Sequence, residues 1–254
     1  MPLKRILDPL MPVLLLACLC AAAPAMAAEK LRFVLGLAEP FSFEPGKPQP
    51  GVYTEIVSAL ARESKLDFDI QTMPFARVLA ELQAGRADLA VIDDSPIREP
   101  MLRDYLRLVR IGQMQLSVWT YRTPAPDSSE ELGGKRMGRL RGTCKVFEIP
   151  DATIRFQDLD DIGSGLRMLA AGRIDELCAV REAVQSALHA QADVATGDYH
   201  SGLEGPVLPF RLVLNKRNAA LEPQLRRALL KLRERGEIAA IYQRYGLSQS
   251  DVSP

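Results

Sequence analysis

Two arginines and a few short polar residues are the groups in this 254-residue chain whose types and spacing best suit gripping a charged solute. Arg98 follows closely on Asp93, Asp94 and Ser95, and Arg141 opens the phrase Arg141-Gly142-Thr143-Cys144. A guanidinium offers a planar fork of donors that matches a carboxylate or a phosphate. The competing use for Arg98 and Arg141 is solvation, or pairing with Asp93, Asp94 or Glu99. Asp93 and Asp94 sit where a strand ends and a helix begins near Pro96, so at least one is expected to cap that helix. The other is left for a cationic or hydroxylated ligand. Phe75 and Arg77 open an earlier helix, and Phe75 serves either as a stacking face for a ligand or as core.

Other chemistries find little support. His189 and His200 are the only histidines and share no metal-ligand spacing, so neither a metal nor a cofactor is called for. Lys and Arg number 32 against 32 Asp and Glu, with no basic run that marks a nucleic-acid surface. Residues 1–27 carry a basic start at Lys4 and Arg5, an apolar run from Leu10 to Leu19 and the small-x-small pattern Ala25-Met26-Ala27. This is the pattern of a cleavable signal peptide and implies an exported protein. The phrase Leu15-Leu-Ala-Cys18 loosely resembles a lipobox, but the apolar run continues past Cys18. Cys144 and Cys178 then remain, and they form either one disulfide or two buried thiols.

The elements that must position these residues fall into two cycles. Leu82-Gln-Ala-Gly-Arg-Ala-Asp88 returns 87 residues later as Leu169-Ala-Ala-Gly-Arg-Ile-Asp175. Each copy closes a helical stretch and opens an apolar strand, and its glycine suits the left-handed residue after a helix. The arginine of each copy is expected at the last helix carbonyls and the aspartate at the strand entrance. The first cycle reads as strand 31–36, helix 52–63, strand 67–72, helix 75–82 and strand 89–92. The second reads as strand 136–140, strand 154–157, helix 162–171, strand 174–180 and helix 182–190. Extended runs 114–121 and 207–214 connect the two, residues 197–205 read as a polar loop, and helices at about 221–234 and 237–245 end the chain. The fold class is therefore α/β, with two lobes, each a mixed sheet flanked by helices, joined by two extended crossings near Trp119 and Phe210. We divide it into residues 28–118 plus 211–254 and residues 119–210. A cleft between two such lobes is a favoured ligand site.

Several phrases in order carry a family resemblance. They are Pro40-Phe41, Gly51-Val-Tyr-Thr-Glu-Ile56, the repeated Ala-Gly-Arg-x-Asp, Leu132-Gly-Gly-Lys-Arg-Met-Gly138 with Gly142-Thr143, Ala228 to Leu232 with Arg235-Gly236, and Tyr242-x-x-Tyr245-Gly. With them the chain resembles the bacterial periplasmic solute-binding proteins of the polar amino-acid type, the receptors of ABC importers. The resemblance implies a monomer that closes on a small-molecule ligand and engages an ABC permease. It places the family's carboxylate-binding arginine at Pro100, two residues past Arg98. It places the acid for the ligand's ammonium at Val180, the covering aromatic at Ala38 beside Phe41, and an N–H-donating anion loop at Arg141–Cys144. A buried charge without a partner is costly, so a cleft with Pro100 and Val180 at those places is poorly suited to an ordinary α-amino acid. The reading is thus a receptor for another small polar or anionic metabolite. Two alternatives stand beside it. One is a periplasmic enzyme on the same scaffold, resembling the cyclic-carboxylate dehydratases, with Glu182 as its acid. The other is a sensor or partner-binding protein without transport.

Overall fold

The computed structural model describes residues 30–144, 154–190 and 196–247. The signal-peptide pattern and the lipobox-like phrase lie outside the described residues. One eight-stranded sheet runs through the molecule. Its strands are β1 (Leu31–Gly36), β2 (Phe68–Met73), β3 (Leu89–Asp93), β4 (Tyr105–Tyr121), β5 (Arg136–Leu140), β6 (Arg155–Leu159), β7 (Glu176–Val180) and β8 (Tyr199–Asn215). Their order across the sheet is β2-β1-β3-β8-β4-β7-β5-β6.

That order contains the repeat. In one half β1 lies between β2 and β3, parallel to both. In the other β5 lies between β6 and β7, again parallel to both. Each triplet is then joined by an antiparallel strand: β8 beside β3, and β4 beside β7. The repeated phrase explains part of this symmetry. Gly85 and Gly172 have φ of +65° and +64°, the left-handed turn each copy requires. Asp88 then accepts the backbone N–H of Arg32 at the head of β1, and Asp175 accepts that of Arg136 at the head of β5, both at 2.8 Å. Each aspartate thereby ties the third strand of its lobe to the first. The arginine of the first copy is used differently from expectation: Arg86 pairs with the Glu81 carboxylate rather than with helix carbonyls.

The helices cover both faces: α1 (Val52–Ser64), α2 (Phe75–Gln83), α3 (Ile162–Ala170), α4 (Arg181–Ala190), α5 (Glu222–Glu234) and α6 (Glu237–Arg244). Alternation along β1 divides the first lobe's core in two. Phe33 and Leu35 pack with Ile56, Leu60 and Leu229, while Val34 packs with Val78, Leu82 and Ile92. The second lobe has its own pair of clusters, around Leu166, Leu177 and Val184 and around Val118, Leu132 and Met137.

Residues 199–205, read as a polar loop, belong instead to β8, which pairs with β4 from Tyr199 onward. Cross-strand bonds to a 17-residue partner override the loop-like composition there. The register also separates the two crossings: Trp119 faces Ser201 and Phe210 faces Gly112. β3 holds β8 only from Phe210 on, and β7 holds β4 only from Leu116 on. Gln113, Met114 and Gln115, opposite Pro209, Leu208 and Val207, form the two-stranded stretch between the lobes.

Candidate ligand-binding cleft

Where the lobes meet, a chamber of about 100 Å³ is lined from both sides. The ends of β1 and β3 and the start of α2 contribute Leu37, Ala38, Phe75, Asp93, Ser95, Ile97 and Arg98. The second lobe contributes Leu140, Thr143, Cys144, Ile162, Val180 and Ala183, and the crossings add Met114, Leu116, Leu208 and Phe210. The walls are mainly apolar, and an aromatic file supports one of them. Phe41 and Tyr53 have ring centroids 5.2 Å apart, and Tyr53 stacks on Phe210 at 5.9 Å.

The polar group at the centre is Arg98, only 7 % exposed. Its Nε donates to Asp93 Oδ2 at 2.9 Å, its Nη2 donates to the Gly142 carbonyl at 3.3 Å, and the guanidinium lies 5.3 Å from the Phe75 ring centroid. Asp93, also buried, accepts a second bond from Ser95 Oγ. The pair is electrically neutral within the chamber, and its geometry fixes the guanidinium. Neither aspartate caps the 3₁₀ turn Pro96–Arg98, whose leading residue Ser95 makes no side-chain cap either. Asp94 turns away and binds Arg107 and Arg211, each through Nε at 2.6 Å, joining β4 to β8. It is a brace between β4 and β8 and not a chamber residue.

The other expected residues divide in the same way. Ala38, Phe41, Phe75, Asp93, Ser95, Arg98, Thr143, Cys144 and Val180 line the chamber. Arg141 is largely exposed and lies 3.7 Å from Asp158, and Arg77 is exposed on α2. Gly142 meets the first lobe directly: with φ of +85°, it approaches so closely that a Cβ would sit 3.2 Å from Leu79 Cδ1. In the loop expected to donate N–H groups, the Thr143 N–H is engaged by the Leu140 carbonyl at 3.0 Å, and Gly142 presents a carbonyl to Arg98. Cys144 and Cys178 form a disulfide that ties this loop to β7.

Pro100 follows the turn and leads into a second 3₁₀ turn at Met101–Asp104. Glu182 is not a chamber residue. Its Oε2 is buried with no hydrogen-bond partner among the described residues. Burial above all holds the phenols of Tyr53 and Tyr242 above the usual tyrosine range, with Tyr242 adding to the shift of Tyr53 and Glu182 contributing less to both. Sequence reasoning missed Tyr53, Met114, Leu116, Leu208 and Phe210. The last four carried a usable signal, since each pair is spaced by two along a strand and so faces one side.

Two lobes of like topology that close over a chamber lined from both define a two-lobe solute-binding protein. Residues 33–248 match the model of the bacterial extracellular solute-binding proteins, family 3, and the chain belongs to that family. Solved structures agree on the fold. An ancestral arginine-binding protein bound to arginine superposes with a TM-score of 0.72 at 18 % identity, covering 85 % of this chain and 97 % of its own. The arginine-, lysine-, histidine-binding protein ArtJ from the thermophilic bacterium Geobacillus stearothermophilus gives 0.72 at 14 %, covering 87 % and 96 %. A histidine kinase sensor domain with similarity to periplasmic binding proteins gives 0.75 at 16 %, covering 87 % and 98 %. No curated protein matches the chain by sequence.

Proposed function

We propose that this protein is an exported receptor that captures a small solute in the chamber between its lobes and delivers it, in the closed form, to an ABC permease. Residues 1–27 would direct it to the periplasm. The two-stranded stretch at Gln113–Gln115 and Val207–Pro209 would act as the hinge between lobe 1 (residues 28–118 and 211–254) and lobe 2 (residues 119–210).

The observation that carries this reading is the lining itself. Residues from both lobes and both crossings converge on one space, so a solute there gains contacts that exist only when the lobes are closed. The chemistry of that space narrows the solute. Arg98 is already neutralised by Asp93, and Val180 offers no counter-charge to an ammonium, so a zwitterionic α-amino acid would bring two charges with poor pairing. An apolar body with one polar or anionic group suits the chamber better, the group being addressed by the remaining guanidinium donors, Ser95 or Thr143. Titration calorimetry against small carboxylates and alcohols tests this. Saturable one-to-one binding supports it, and no heat from any of them at millimolar concentration counts against it.

A further inference from the structure

The polar side chains of the chamber are linked by hydrogen bonds, and the direction of those bonds decides what a solute can add. Ser95 Oγ donates to the Asp93 carboxylate, whose other oxygen accepts from Arg98 Nε at 2.9 Å. Arg98 Nη2 reaches across the cleft to the Gly142 carbonyl at 3.3 Å. The next residue, Thr143, gives its hydroxyl proton to the Leu140 carbonyl at 2.7 Å. A hydroxyl has a single proton, so Ser95 and Thr143 meet a solute with lone pairs alone. The guanidinium is the reverse. It cannot accept, and its remaining N–H groups have no partner among the described residues. The Tyr53 hydroxyl takes no part, because it stands over Gly112, where a Cβ would lie 3.1 Å from it, and Gly112 is not in the chamber wall.

Resting on the reading of the chamber as the solute site, and narrowing the head group given there, we infer that the solute is uncharged and carries a carboxamide or urea-type head. Such a head combines what the lining asks for. Its carbonyl oxygen accepts from the guanidinium, and its N–H groups donate to the Ser95 or Thr143 oxygen. A carboxylate offers acceptors only, so those two oxygens would face it with lone pairs. Its charge would also enter a space whose own ion pair, Arg98 with Asp93, already sums to zero, and no counter-charge would offset the desolvation. A ketone leaves the hydroxyl oxygens unmet, and an alkylammonium leaves the guanidinium unmet. The apolar remainder of the chamber, about 100 Å³ in all, suits a body of about one ring.

The test is calorimetry at about pH 7 with benzamide, benzoate and acetophenone, which share a ring and a carbonyl carbon and differ in charge and in N–H donors. The wild type should bind benzamide about tenfold more tightly than either of the others, the size of a hydrogen bond lost in a buried site. In the double variant Ser95→Ala, Thr143→Val the ratio of benzamide to acetophenone affinity should fall towards one, a ratio that any loss common to both probes leaves unmoved. Equal or tighter binding of benzoate or acetophenone by the wild type, or a benzamide preference that survives in the double variant, overturns the head-group assignment and leaves the chamber standing. Binding of none of these probes to the wild type at millimolar concentration overturns the chamber reading and the assignment with it.

Discussion

Arg98 bonds to Asp93 within its own lobe and to the carbonyl of Gly142 across the cleft. One guanidinium thus serves both as the neutralising partner of a buried carboxylate and as a tie between the lobes. The closed arrangement has a polar contact at its centre even where the surrounding walls are apolar.

Removing that arginine strands Asp93, which is only 3 % exposed. Arg98→Ala is predicted to lower stability by about 3 kcal/mol, because an uncompensated buried carboxylate is left behind. The double variant Asp93→Asn, Arg98→Met should lose less than the single one. Urea denaturation of the set checks both statements, and a double variant less stable than Arg98→Ala contradicts them.

Gly112 lies where two phenols converge on β4. A Cβ there would stand 2.0 Å from Tyr242 Oη and 3.1 Å from Tyr53 Oη. Gly112→Ala should therefore cost about 1–3 kcal/mol through overpacking. Tyr242→Phe in that background should restore part of the loss, although it also removes the bond from Tyr242 Oη to the Ile111 carbonyl. Thermal denaturation of the two variants reads the coupling.

The disulfide closes a sequence separation of 34 residues and fastens the cleft loop to β7. Replacing both cysteines by serine should cost about 3–4 kcal/mol by the loop-entropy argument. It should also weaken solute binding, since Cys144 belongs to the chamber wall. Denaturation and calorimetry on the double serine variant measure the two effects separately.

Glu176 gives the stability profile a defined slope. Burial pushes its carboxyl up from 4.5 to about 7. The native state therefore holds this proton more tightly than the unfolded chain, and the contribution is fully present below about 4.5 and lost as the pH rises to about 7. Glu81 and Asp175 act in the opposite sense. Hydrogen bonds from Arg86 and Arg136, respectively, hold them at about 2, so their contribution is present above the ordinary carboxylate range and lost as the pH falls towards 2. Glu176→Gln should gain on the wild type by about 1–3 kcal/mol between pH 5 and 8. A difference that does not change with pH across that window would contradict the assignment.

Much of the architecture is legible in the residues, because the repeated Ala-Gly-Arg-x-Asp encodes a joint that each lobe needs once. Its glycine sets the turn, and its aspartate reaches the first strand of the same lobe. The cleft is less legible. Arg98 and Asp93 are close in sequence, so each could be singled out, but their mutual pairing depends on the 3₁₀ turn between them. Asp94 looked equivalent to Asp93, yet just past the end of β3 it turns the other way, to Arg107 on β4 and Arg211 on β8. Residues 199–205 are polar because they lie in β8 near the surface, and composition alone does not reveal a strand held mainly by one long partner.

The most direct test of the account is a thermal-shift series on the wild type and on Val180→Trp, which fills the chamber from the second lobe. The account predicts that at least one small solute with an apolar body and a single charged or polar group raises the melting temperature of the wild type saturably. It predicts that the shift vanishes in Val180→Trp, and that α-amino acids such as arginine and glutamate produce none in either protein. A saturable shift from an α-amino acid, or a solute shift that survives in Val180→Trp, would contradict it.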